Sequence, residues 1–137
     1  MRTRTATIVT AGLLLTTLTA CGNSSDDKPA GLTAQGMVDQ LGDLYPLPNP
    51  RDNTSGCDTG KNHPNDCEQL ITTDPVSVYE LKTPEAAANW AKQMDGKAKN
   101  KAVQAGRFML LWKAAYPSDQ DAVAEMTAKA KELSVKE

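Results

Sequence analysis

Histidine is almost missing from this chain: His63 is the single one in 137 residues. A Ser-His-Asp hydrolase would need that imidazole as its base. His63 instead sits in a polar, turn-rich stretch with no nucleophile motif around it. Gly-x-Ser-x-Gly, the phosphate loop and the dinucleotide fingerprint are absent as well. The carboxylate pairs Asp26-Asp27, Asp39-Asp43 and Asp119-Asp121 have acid–base capability in principle, but they read as tether, exposed helix face and helix cap. The expectation is a protein that is not an enzyme and carries no cofactor. Aromatic residues make up 4% of the chain, so the core must lean on Leu, Val, Ile, Met and Ala. Such a core is thin for one domain, and a covalent staple helps it. Excess positive charge is lacking too, with 15 basic against 17 acidic residues. General nucleic-acid binding runs on positive charge and is not expected. No apolar run approaches the roughly 20 residues of a membrane-spanning helix.

The longest apolar run is at the start. Arg2 and Arg4 form a positive segment, Ala6 to Leu18 is mostly apolar, and Thr19 and Ala20 are small. This is the layout of a secretory signal peptide over residues 1–20. Arg2 and Arg4 are separated by Thr3, so there is no twin-arginine pair. Removing this leader leaves 13 basic against 17 acidic residues, a net charge of −4. Leu18-Thr19-Ala20-Cys21 resembles the lipobox of bacterial lipoproteins. The resemblance implies that Cys21 receives diacylglycerol, that cleavage makes it the first mature residue, and that the protein sits on the outer face of the cell membrane through its N-terminal lipid. Two acyl chains anchor stably where one binds only marginally. Residues 22–31 are polar and have almost nothing to bury. They are similar to the linkers that follow the lipid-bearing Cys in lipoproteins of high-GC Gram-positive bacteria. Residues 21–32 are thus read as lipid-bearing Cys and flexible tether, and 33–137 as a single small domain.

Three cysteines in an exported chain leave one over. Lipidation consumes Cys21, and Cys57 and Cys67 remain as a pair. In an oxidising compartment a disulfide is their natural state, contributing about 2.5–3 kcal/mol by the loop-entropy model. The rival reading is a zinc site from Cys57, His63, Cys67 and Asp58 or Asp66, but the spacing matches no paired-ligand pattern. Asp52, Thr54, Gly56 and Asp58 echo a calcium loop without its ordered acids or terminal Glu. No metal is expected.

Along the domain, Thr33 caps a short helix with Met37, Leu41 and Leu44 on one side. Tyr45 to Pro50 is extended, read as a rigid strap in preference to a docking peptide. Gln69–Thr73 and Val76–Leu81 predict a hairpin turning at Asp74-Pro75. Thr83-Pro84-Glu85 opens a helix with Ala87, Trp90, Ala91 and Met94 as its stripe and Gly96 at its end. A single central strand is expected from about Ala102 to Trp112, with Phe108, Leu110 and Trp112 on one face and Met109 and Leu111 on the other. Gly106 marks a bulge or a close backbone approach within it. Ser118-Asp119-Gln120-Asp121 is a capping box for a last helix striped by Val123, Met126, Ala130 and Leu133.

This order predicts an α+β fold: a three-stranded sheet with about three helices, in an α-β-β-α-β-α sequence similar to a ferredoxin-like split unit. The run Leu70 to Leu81, the Trp90 helix and the strand ending at Trp112-Lys113 also resemble small uncharacterised lipoproteins of actinobacteria and their phages. The basic cluster Lys97, Lys99, Lys101 and Arg107, together with Lys92, is the candidate binding patch for anionic headgroups or wall polymers; the competing reading is a solvated helix end. The functional expectation is a membrane-tethered binding module with an envelope protein among its partners and no nucleic acid. Alternatives are a phage- or plasmid-borne exclusion lipoprotein and an envelope enzyme.

Overall fold

The computed structural model describes residues 31–57, 66–114 and 119–136. Residues 1–30, with the expected leader and Cys21, and most of the loop between Cys57 and Cys67, including His63, lie outside the described residues. Local signals account for most element starts. The Thr33 hydroxyl accepts from Gly36 N and opens α1 (Ala34–Gly42), which buries Met37, Val38 and Leu41. Leu44 falls beyond its end and is exposed. The strap leads to β1 (Arg51–Asp52) and a single-turn α2 (Thr54–Cys57). β2 (Cys67–Thr72) and β3 (Val76–Leu81) form the expected hairpin. Thr83 caps α3 (Pro84–Met94), with Pro84 in the first turn. A 3₁₀ turn (Lys97–Lys99) follows Gly96, whose φ is 77°. Then come β4 (Lys101–Ala105), β5 (Phe108–Trp112) and α4 (Gln120–Ser134). The cap of α4 is Asp119, whose carboxylate accepts from Asp121 N and Ala122 N. The box expected at Ser118 is therefore shifted by one residue, and Ser118 itself is outside the described residues.

The fold class is α+β, but the three-stranded sheet with about three helices is not what forms. Among the described residues five strands assemble in the order β1-β2-β3-β5-β4, every neighbouring pair antiparallel, with four α-helices. Two features make the difference. The stretch read as one strand is a hairpin, because Gly106 takes φ 55° at the first position of a two-residue loop between Ala105 and Phe108. Glycine at that place is the signature of a tight strand-joining turn. The close approach anticipated at Gly106 is real: a Cβ there would sit 2.8 Å from Ser134 Cβ at the end of α4. β1 and α2 escaped notice because two and four residues are too few to show any period. With these elements added, the ferredoxin-like order α-β-β-α-β-α no longer describes the chain.

The sheet is covered on both faces. Val78, Phe108, Leu110 and Trp112 pack against α1 and α4. Leu70, Tyr79, Leu81, Met109 and Leu111 pack against α3 and the cysteine pair. The alternation expected along Phe108 to Trp112 is thus observed. Every residue of β3 and β5 is buried, as central strands with two covered faces require.

Candidate functional site: the Trp112 cleft

The sequence-predicted residues are dispersed. Cys21 lies outside the described residues. Cys57 and Cys67 are joined by a disulfide with Cα atoms 5.8 Å apart. It links the end of α2 to the start of β2 beneath α3. Its place in the core is structural.

Arg107 does not belong with the lysines. It sits in the β4–β5 turn, at the opposite end of β4 from Lys101. The five-residue length of β4 separates the two by roughly 15 Å. Its guanidinium donates to Glu80 Oε1 at 2.7 Å, to Glu68 Oε2 at 3.1 Å and to the Leu32 carbonyl at 2.8 Å. It also lies 5.3 Å from the Phe108 ring centre. Glu80 is buried on β3, and its other oxygen accepts from Ala34 N at 2.9 Å. Gln69 Oε1 accepts from Gln35 N, and Thr33 from Gly36 N. The first three amides of α1 are thereby satisfied by side chains, two of them from the sheet. Arg107 and Glu80 hold α1 onto the sheet; they are not a surface patch. Lys97 and Lys99 lie on the exposed 3₁₀ turn, and Lys101 begins β4.

The structure assembles a site elsewhere. The strap Tyr45-Pro46-Leu47-Pro48 crosses one end of the sheet. It is pinned there where Asp74 N donates to the Pro48 carbonyl and Asn49 Nδ2 donates to Asp74 Oδ2. Between strap and helix opens a cleft of about 300 Å³. Pro75 and Trp112 form its sheet side, and Asp119, Ala122 and Met126 come from α4 and its cap. The lining is overwhelmingly apolar. At the strap end, partial burial and then the carboxylates of Glu125 and Asp119 push the Tyr45 hydroxyl above its usual 10.0.

Trp112 is shared with a second cavity, of about 230 Å³, on the side toward β4. Lys99, Lys101, Lys113 and Gln120 contribute to that wall, with Val123 and Ala114. Lys101 is the direct cross-strand partner of Trp112, so both side chains stand on the same face. The Lys113 ammonium donates to the Thr73 carbonyl, which leaves Lys99 and Lys101 as its uncommitted cations among the described residues. Trp112 is 1% exposed, yet its Nε1–H finds no acceptor among the described residues. Trp90 Nε1 and Thr127 Oγ1 share that condition, but only Trp112 lines these cavities. An unsatisfied buried donor costs about 1–3 kcal/mol.

No family model, curated protein or solved structure matches this chain. The reading of the site therefore stands on its geometry. The strap's role as a cleft wall is not visible in its own residues. The only signal for the cleft was the proximity of proline and aromatic residues in Tyr45 to Pro48, with nothing to join them to Trp112 some 65 positions away.

Proposed function

We propose that this chain is a lipoprotein held on the outer face of the cell membrane by lipid on Cys21, and that its domain is a binding module taking a small, largely apolar ligand in the Trp112 cleft. The observation that carries the binding role is a concave, overwhelmingly apolar site built from a pinned strap, a central strand and a helix. Small-molecule sites have this character: mostly apolar walls and a few placed polar groups. The anchoring role is supported by the leader and the lipobox-like Leu18-Thr19-Ala20-Cys21. Tether and site divide the labour, the lipid fixing location and the domain capturing the ligand.

Binding is tested on the full chain carrying Cys21→Ser, with Trp90→Phe so that Trp112 is the only tryptophan. Titration with 1-decanol should shift Trp112 emission saturably, and Ala122→Leu, which fills the cleft, should weaken the response while the fold persists by circular dichroism. A Trp112 signal indifferent to decanol would remove the binding role. Anchoring is tested separately: labelled palmitate should enter the wild-type protein in its native host and not the Cys21→Ser variant.

A further inference from the structure

The Trp112 cleft and the lysine-lined cavity beside it share a wall, and that juxtaposition carries an inference about the ligand, resting on the binding role proposed above. We propose that the site takes a small amphipathic anion, with an apolar body in the cleft and an anionic head in the cavity of Lys99 and Lys101.

Three observations point the same way. First, Trp112 belongs to both cavities, and the start of α4 lines both, through Asp119 and Ala122 on one side and Gln120 and Val123 on the other. One molecule lying against Trp112 touches the two environments at once. Second, the charges around the site are sorted. Carboxylates gather at the Tyr45 end, where Glu125 and Asp119 act on the tyrosine hydroxyl. Asp119 is already occupied with Asp121 N and Ala122 N. The lysines gather at the other end, and Lys99 and Lys101 have no partner among the described residues. An anionic head is repelled from the strap end and attracted to the lysine end, so the site sets the ligand's direction as well as its sign. Third, no carboxylate lines the lysine-side cavity among the described residues, so nothing there competes with an anionic head for the ammonium groups.

Size narrows the class. At roughly 30 Å³ for a water- or methylene-sized group, the 300 Å³ cleft holds about ten such groups. That corresponds to a medium-chain carboxylate or a comparable monoanion, and it is short of a whole membrane lipid chain. The ligand is therefore a free amphiphile reaching the site from solution, with the lipid tether keeping the protein where such molecules leave or enter the membrane.

The experiment compares decanoate, 1-decanol and decylamine at equal chain length on the Cys21→Ser, Trp90→Phe full chain, read by Trp112 emission. Decanoate should bind on the order of tenfold more tightly than decanol, as expected for two partly exposed charge pairs, and added salt should erode the difference. Lys99→Gln with Lys101→Gln should abolish the preference with the thermal midpoint unchanged. Lys97→Gln, on the same turn but outside the cavity, should leave decanoate affinity as it was. Equal binding of decanoate and decanol, or tightest binding of decylamine, overturns the anionic head and leaves the apolar cleft standing. Binding to anionic lipid vesicles without binding to free decanoate overturns the free-amphiphile assignment. Failure of all three ligands overturns the binding role itself.

Discussion

Replacing Arg107 should unfasten α1 from the sheet. In the native protein the guanidinium is 18% exposed and Glu80 6%, so this pair lies largely out of water. Removing one partner of such a pair leaves the other charge uncompensated and costs about 3–5 kcal/mol. Arg107→Ala should fall in that range. It strands Glu80 and takes a donor from both Glu68 and the Leu32 carbonyl in one step. Against a total stability of about 5–15 kcal/mol for a domain of this kind, the loss is large. With a urea m-value of about 2 kcal/mol per M, the unfolding midpoint should drop by about 2 M. Arg107→Lys keeps a charge but loses the planar fork that spans carboxylate and carbonyl together, and should fall between wild type and Arg107→Ala. The control is Lys97→Ala on the exposed turn, where a surface change stays within about 0.5 kcal/mol. Glu80→Gln retains an oxygen for Ala34 N while removing the charge. On that background Arg107→Ala should cost at least about 1 kcal/mol less, because contacting residues couple. Urea titration followed by tryptophan fluorescence gives all four values. An Arg107→Ala loss no greater than that of Lys97→Ala would refute the assignment of Arg107 as an internal clamp and return it to the surface patch.

Two further outcomes follow from the same geometry. Gly106→Ala imposes a left-handed backbone on alanine, costing about 1–2 kcal/mol, and drives its Cβ to 2.8 Å from that of Ser134. Adding Ser134→Gly should recover the contact part and not the backbone part; thermal unfolding that shows no recovery would mean the approach is not felt. At the end of α4, hydrogen bonds from Lys136 and then Lys129 lower the Glu132 carboxyl below its usual 4.5. Its stabilising contribution is therefore full above pH 4.5 and is lost as pH falls through the lower folded value. Protection factors of the Leu133 and Ser134 amides, corrected for the intrinsic pH dependence of exchange, should fall in that acidic window in wild type and not in Glu132→Gln.

Much of this molecule is legible one segment at a time. Thr33, Thr83 and the acids around Asp119 announce helix starts because a side-chain oxygen must meet free amides within three residues. The facing of Phe108 through Trp112 follows from strand alternation, and the turn at Asp74-Pro75 from local backbone restriction. The pairing of Cys57 with Cys67 follows from counting. Each of these signals is carried by neighbours in sequence. The remaining features depend on residues beyond their own segment of the chain. Gly106 could be a bulge or a turn, and only the pairing of β4 back onto β5 decides between them. β1 exists because Thr72 and Ile71 offer an edge to two residues with no strand pattern of their own.

The candidate site divides along the same line. Composition alone brought Lys97, Lys99, Lys101 and Arg107 into one patch, because charge is visible in a sequence and its partner is not. Packing reassigned Arg107 to Glu80, across 27 positions of chain, and set Lys101 beside Trp112. It also laid Tyr45 to Pro48 against a strand and a helix from the far half of the domain. A cleft is a property of surfaces that meet, so no window of residues contains it. What the sequence determined by itself is the set of local conformations and the cysteine count. Tertiary structure decided which polar groups are spent holding the fold and which remain to meet a ligand.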